Sequence, residues 1–126
     1  TNGDCLTGTH GPIGDWDVSN VEDMRQMFYS ETPALFNNDL SKWDVSQVLG
    51  MSNMFRGAKA FDQDLSKWDA SRVTTMSEMF REAAAFNQDL SKWDVSRTTT
   101  MFAMFYNAKL FNADIKVLAE QMEAKR

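Results

Sequence analysis

Residues 64–86 read DLSKWDASRVTTMSEMFREAAAF, and the chain repeats this sentence with small changes along most of its length. The fixed point is a tryptophan: Trp16, Trp43, Trp68 and Trp93 stand 27, 25 and 25 residues apart. Around them the chain reads DWDVSNVEDM, KWDVSQVLGM, KWDASRVTTM and KWDVSRTTTM. Each copy runs on into Met27-Phe28, Met54-Phe55, Met79-Phe80 or Met104-Phe105, and closes on Phe36, Phe61, Phe86 or Phe111. The first copy is two residues longer, which places an extra loop at Ser30-Glu31-Thr32-Pro33. Self-similarity at a period between 20 and 50 residues marks a repeat array.

Spacing within a copy sets the expected elements. Met76, Met79, Phe80 and Ala83 fall at i, i+3, i+4 and i+7, as do Met51/Met54/Phe55/Ala58 and Met101/Met104/Phe105/Ala108. This is the one-face pattern of a helix about two turns long, too short to stand alone. Thr75 with Glu78 suits a capping box and Asp23 an N-cap. Upstream, Leu65/Trp68/Ala70, Leu40/Trp43/Val45 and Leu90/Trp93/Val95 alternate like a strand, with Asx-rich turn chemistry before them.

The expected fold is therefore an α/β solenoid, a leucine-rich-repeat-like right-handed stack of about four coils. Each 25-residue coil would carry a short parallel strand and a two-turn helix. Propeller blades need about 40 residues and four strands, which this period excludes. The expected organisation is a single repeat domain over 1–126. It has an irregular N-terminal cap at 1–14, four repeats at 15–114 and a C-terminal capping helix at 115–126. That helix places Ile115, Leu118, Ala119 and Met122 on one face, with the cations Lys125 and Arg126 at its end.

Composition narrows the partners. A net charge of −5 with singly spread Lys and Arg argues against nucleic acid or an anionic membrane as the main partner. No run approaches 18 apolar residues, so no membrane-spanning segment is expected. The segment from Thr1 lacks a signal-peptide pattern, although a trimmed secreted chain reads the same. Cys5, the lone cysteine, is either free or paired with another chain.

Three columns invite chemistry. Stacked tryptophans can bind sugars or bases, but their strand spacing with Leu40 and Leu65 points them into a core. Asp39, Asp64, Asp89 and Asp114, preceded by Asn37, Asp62, Asn87 and Asn112, invite calcium, yet each copy offers too few oxygens and lacks the glycine-rich turn of calcium-bound solenoids. Asx ladders capping backbone amides fit that column better. Lys42/Asp44, Lys67/Asp69 and Lys92/Asp94 flank their tryptophans and should face solvent. They read either as solubilising edge charges or as the binding surface of a recognition module. His10, in a Gly/Thr-rich stretch, assembles no catalytic triad or metal cluster. Neither an enzyme active site nor a cofactor is expected.

The motif W-D-V-S-x-V-x-x-M-x-x-M-F-x-x-A-x-x-F-N-Q-D-L-S resembles the BspA-type surface-protein repeats, also called the DUF285 repeats. The resemblance covers Ile13 to Asp114. Departures are Asp62 for Asn, Asn38 and Ala113 for Gln, and Ala70 and Thr98 for Val. It implies a leucine-rich-repeat-like solenoid of the kind found in bacterial surface proteins and in protists and algae. It supplies no catalytic residue, and links some relatives to adhesion. The expected function is a non-catalytic protein-interaction module, extracellular or at the cell surface, that binds a protein or glycan through its repeats. The alternative is a structural linker subunit docked in a larger assembly, in an organelle lumen or peripheral to a membrane complex, possibly an algal one.

Overall fold

A computed structural model describes residues 4–5, 11–30, 35–113 and 115–123. His10, the inserted loop at Glu31-Thr32-Pro33, Asp114, Lys125 and Arg126 lie outside the described residues, as does most of the N-terminal cap. Strand β1 (Asp4–Cys5) pairs antiparallel with β2 (Gly11–Pro12), and a single 3-10 turn follows at Ile13–Asp15. Helix α1 (Lys116–Glu123) is the one α-helix among the described residues. Between these ends the chain is turns and loops around a cluster of aromatic rings.

This corrects the expected α/β solenoid of strand-plus-helix coils. Among the described residues no copy contains a strand or a helix. Isolated parallel bridges, Asp23 to Gly50, Gly50 to Thr75 and Thr75 to Thr100, stand where continuous strands were expected to pair.

The two-turn helix fails for a visible reason. Gln26, Asn53, Glu78 and Ala103, the residues just before the second methionine of each copy, sit at φ between 52° and 62°. Gly57, Glu82 and Asn107, four residues later, are also left-handed, at 72°, 60° and 57°. A left-handed residue ends a right-handed helix, so the segment becomes a series of three-residue turns. Met54 N–H bonds Met51 C=O at 3.2 Å, Arg56 N–H bonds Asn53 C=O at 3.3 Å, and Ala58 N–H bonds Phe55 C=O at 3.0 Å. The intervening amides point along the array instead. Met51, Asn53, Phe55 and Gly57 donate to the carbonyls of Thr75, Ser77, Met79 and Arg81 at 2.8–3.0 Å. A short isolated helix is marginal in water, whereas this arrangement satisfies the same amides between neighbouring copies.

The expected strand around each tryptophan is likewise two turns. Trp43 N–H bonds Leu40 C=O and Val48 N–H bonds Val45 C=O, each at 3.0 Å. Asp39 and Asp44 brace them by accepting the amides of Ser41 and Ser46 at 2.9 and 3.0 Å. The D-x-S-x-x-D-x-S spelling is thus a pair of Asx turns, the local bond that Asp makes two residues ahead.

The side chains expected inside are inside. Trp43, Trp68 and Trp93 are buried, their rings 6.4 Å apart and within 7° of parallel. Each indole N–H donates at 2.9 Å to a carbonyl of the preceding copy: Ile13, Leu40 and Leu65. Phe55, Phe80 and Phe105 form a second row at 5.5–5.7 Å, and Phe61, Phe86 and Phe111 a third at 6.0–6.1 Å. Met51, Met54, Met76 and Met79 fill the remaining space with no exposure, a use suited to a flexible thioether. Trp16 is the exception at 38% exposed, its indole N–H turned to Gly11 C=O at 3.3 Å. Leu118 of α1 is buried, and Gln121 bonds both Trp93 C=O (3.0 Å) and Val95 N–H (2.7 Å).

Candidate functional site

The turn that follows each tryptophan fixes where the charged pairs go. Lys42, Asp44, Lys67, Asp69, Lys92 and Asp94 are all exposed. Their aspartates also hold backbone: Asp44, Asp69 and Asp94 accept the amides of Ser46, Ser71 and Ser96 at 2.9–3.0 Å. The lysines lie toward the other aspartate column. After the larger effect of the Ser41 and Ser66 amides, Lys42 helps keep the Asp39 carboxyl ionised, and Lys67 and Lys92 do the same for Asp64. Lys42 also stands 3.8 Å from Asp15, which holds the lysine's own position in the first copy.

The Asx ladder between copies is present in detail. Asn37 Oδ1 accepts Asp62 N–H, Asp62 Oδ1 accepts Asn87 N–H, and Asn87 Oδ1 accepts Asn112 N–H, at 2.8–2.9 Å. Gln63 and Gln88 add side-chain amide bonds to the same rungs. Among the described residues no group of three or more His, Cys, Asp or Glu is placed to hold a metal ion.

These bonds predict an acid limb. Serine amides hold Asp39, Asp64 and Asp89 below the ordinary carboxyl value of 3.8, and serine hydroxyls do most for Asp17 and Asp44. The Arg25 guanidinium takes Asp23 to about 2. Because the folded values are depressed, the stabilisation is full above the unfolded value and is lost as pH falls through the folded one. The melting temperature should hold steady down to about pH 4 and fall between there and about pH 2. In the triple variant Asp39→Asn/Asp64→Asn/Asp89→Asn that fall should shrink. An identical acid limb in the variant would mean that these turns do not set it.

A second surface was missed by the sequence reading. Glu78 Oε2 accepts Arg56 Nη1 and Arg81 Nη1, each at 2.9 Å, with all three side chains between 21% and 30% exposed. Arg56 lies 5.4 Å from the Tyr29 ring centre and Arg81 lies 4.8 Å from that of Tyr106. Beside this strip the last copy exposes Phe102 (71%), Tyr106 (55%) and Leu110 (62%). The signal was available. Residues 29, 56, 81 and 106 align as surely as the tryptophans do. Phe102 and Leu110 replace the Ser52/Ser77 and Ala60/Ala85 of the inner copies.

The in-register bonds and aromatic rows define a protein of tandem sequence copies joined main chain to main chain, with one strip of Tyr, Arg and apolar side chains left outside. More particularly, the chain belongs to the family described as Mycoplasma protein of unknown function, DUF285, which it matches over residues 4–118. No curated protein and no solved structure matches it. No helix among the described residues is long and apolar enough to cross a membrane.

Proposed function

We propose that this chain is a non-catalytic protein-interaction module, working outside the cell or at its surface, that grips a protein partner through the Tyr29–Arg56–Arg81–Tyr106 strip. One observation carries the reading. Phe102, Tyr106 and Leu110 are exposed at 71%, 55% and 62% in a chain whose inner copies carry Ser, Arg and Ala at those positions. Solvent exposure of three large apolar groups within nine residues has a cost that a partner would remove, and Tyr and Arg are the types that concentrate binding energy. Lys42, Lys67 and Lys92, with Asp44, Asp69 and Asp94, serve as a polar recognition surface, glycans included. The second reading is a structural linker subunit held permanently in a larger assembly. It is favoured by Leu35, 81% exposed, and Met27, 42% exposed, which extend the apolar exposure to the first copy.

Capture from the native source by the wild-type chain, by Phe102→Ser/Tyr106→Ser and by Lys42→Ala/Lys67→Ala/Lys92→Ala tests this reading. The aromatic variant should keep the wild-type melting curve and hold the specific partner at least about tenfold less tightly, a loss of 1.4 kcal/mol or more. The lysine variant should lose less. Equal retention by all three would end the strip's claim.

A further inference from the structure

Along the methionine–phenylalanine stretch of each copy the backbone bonds to the next copy run one way, whereas Leu49, Thr74 and Thr99 N–H, just before that stretch, donate back to Glu22, Leu49 and Thr74 at 2.7–2.8 Å. Met24, Gln26 and Phe28 donate to Gly50, Ser52 and Met54, and Met76, Glu78 and Phe80 donate to Thr100, Phe102 and Met104, at 2.8–3.1 Å. Each copy therefore points a row of alternate N–H groups toward the C-terminal end and a row of C=O groups toward the N-terminal end. The array must end in unlike edges. At the last copy, Met101, Ala103 and Phe105 N–H find no acceptor among the described residues. At the first, the carbonyls of Asp23, Arg25 and Met27 accept no hydrogen bond from another described residue. Backbone groups of this kind, arranged as a strip, take another chain's backbone unless something covers them.

From these two edges we infer head-to-tail self-association: the C-terminal edge of one molecule binds the N-terminal edge of a second copy of this chain. The occupant follows from the interface that already exists between copies. There the donors of residues 76, 78 and 80 meet the carbonyls of 100, 102 and 104. Continuing the same register brings Met101, Ala103 and Phe105 onto Asp23, Arg25 and Met27 of the next molecule. The left-handed residue of its first copy, Gln26, then lies over Ala103, as Glu78 lies beside Asn53 within the chain. Helix α1 limits the contact. Gln121 and Leu118 already cover the tryptophan side of the last copy, while an apolar pocket of about 160 Å³ stays open between α1 and Met101, Met104 and Phe105. The joint is thus confined to the methionine–phenylalanine side, and a small contact of this kind is weak and reversible. Being heterologous, it leaves a free edge at each end and can continue. The inference goes beyond the strip reading and needs no foreign partner.

The test is disulfide trapping in a Cys5→Ser background. Adjacent chains about 4.8 Å apart are within the 4.4–6.8 Å Cα range that a disulfide spans. The double variant Gln26→Cys/Ala103→Cys should oxidise to a ladder of dimers, trimers and higher species, while either single variant stops at dimer. Sedimentation of the unaltered chain, which escapes any folding defect of the variants, should show its average mass rising with concentration. A chain that stays monomeric at every concentration overturns the proposal. So does a double variant that yields only dimers, at the rate of Ala103→Cys alone, since that would mean a symmetric contact between like edges.

Discussion

Trp68→Ala should cost about 3–5 kcal/mol in chemical unfolding, the range for removing a buried large aromatic. Trp68 is 3% exposed and sandwiched between Trp43 and Trp93 at 6.4 Å on either side. Its loss would open a cavity across three copies at once and leave Leu40 C=O without the indole N–H it accepts at 2.9 Å. The same substitution at Trp16, 38% exposed, should cost well under half as much. Urea titrations of both variants decide the matter. Equal losses would show that burial between neighbouring copies is not what the indole column contributes.

Gly57→Ala is expected to lose about 1–3 kcal/mol by overpacking, and the cause is position rather than dihedral angle. Glu82 and Asn107 hold the same column at φ 60° and 57° with full side chains, so the left-handed conformation alone does not demand glycine there. What differs is the neighbour: a Cβ on Gly57 would run into the backbone carbonyl of Ser30, just before the two-residue insertion of the first copy. Backbone cannot step aside as a side-chain tip can. Glu82→Ala should therefore change stability by no more than about 0.5 kcal/mol. Thermal melts of the two variants side by side provide the check, and a Glu82 variant as damaged as the Gly57 one would return the explanation to φ.

Much of the inside of this protein could be read from its letters. The alignment that puts Trp43, Trp68 and Trp93 in one column also names their burial, and Asn37, Asp62 and Asn87 do form a ladder between copies. The strip of Tyr29, Arg56, Arg81 and Tyr106 sits in the same alignment, but it changes from Tyr to Arg and back, so no single recurring residue type marks it as Trp marks the core column. The charged pairs beside the tryptophans are exposed as expected, but Asp44, Asp69 and Asp94 also brace turns.

What the sequence determined by itself is which residues recur and therefore which side chains meet their own kind in the next copy. Identical spacing brings like groups together whatever the backbone does in between. Only the tertiary structure decided the backbone. Met76, Met79, Phe80 and Ala83 share a face in a helix, and equally in a run of three-residue turns, so the pattern cannot choose between them. The choice fell to hydrogen bonds with residues 25 or so positions away, which satisfy amides that a two-turn helix would leave at its ends. Exposure at the ends was decided the same way. Trp16 and Phe105 are the same kinds of residue as Trp68 and Phe80, and they differ in having a neighbouring copy on one side only.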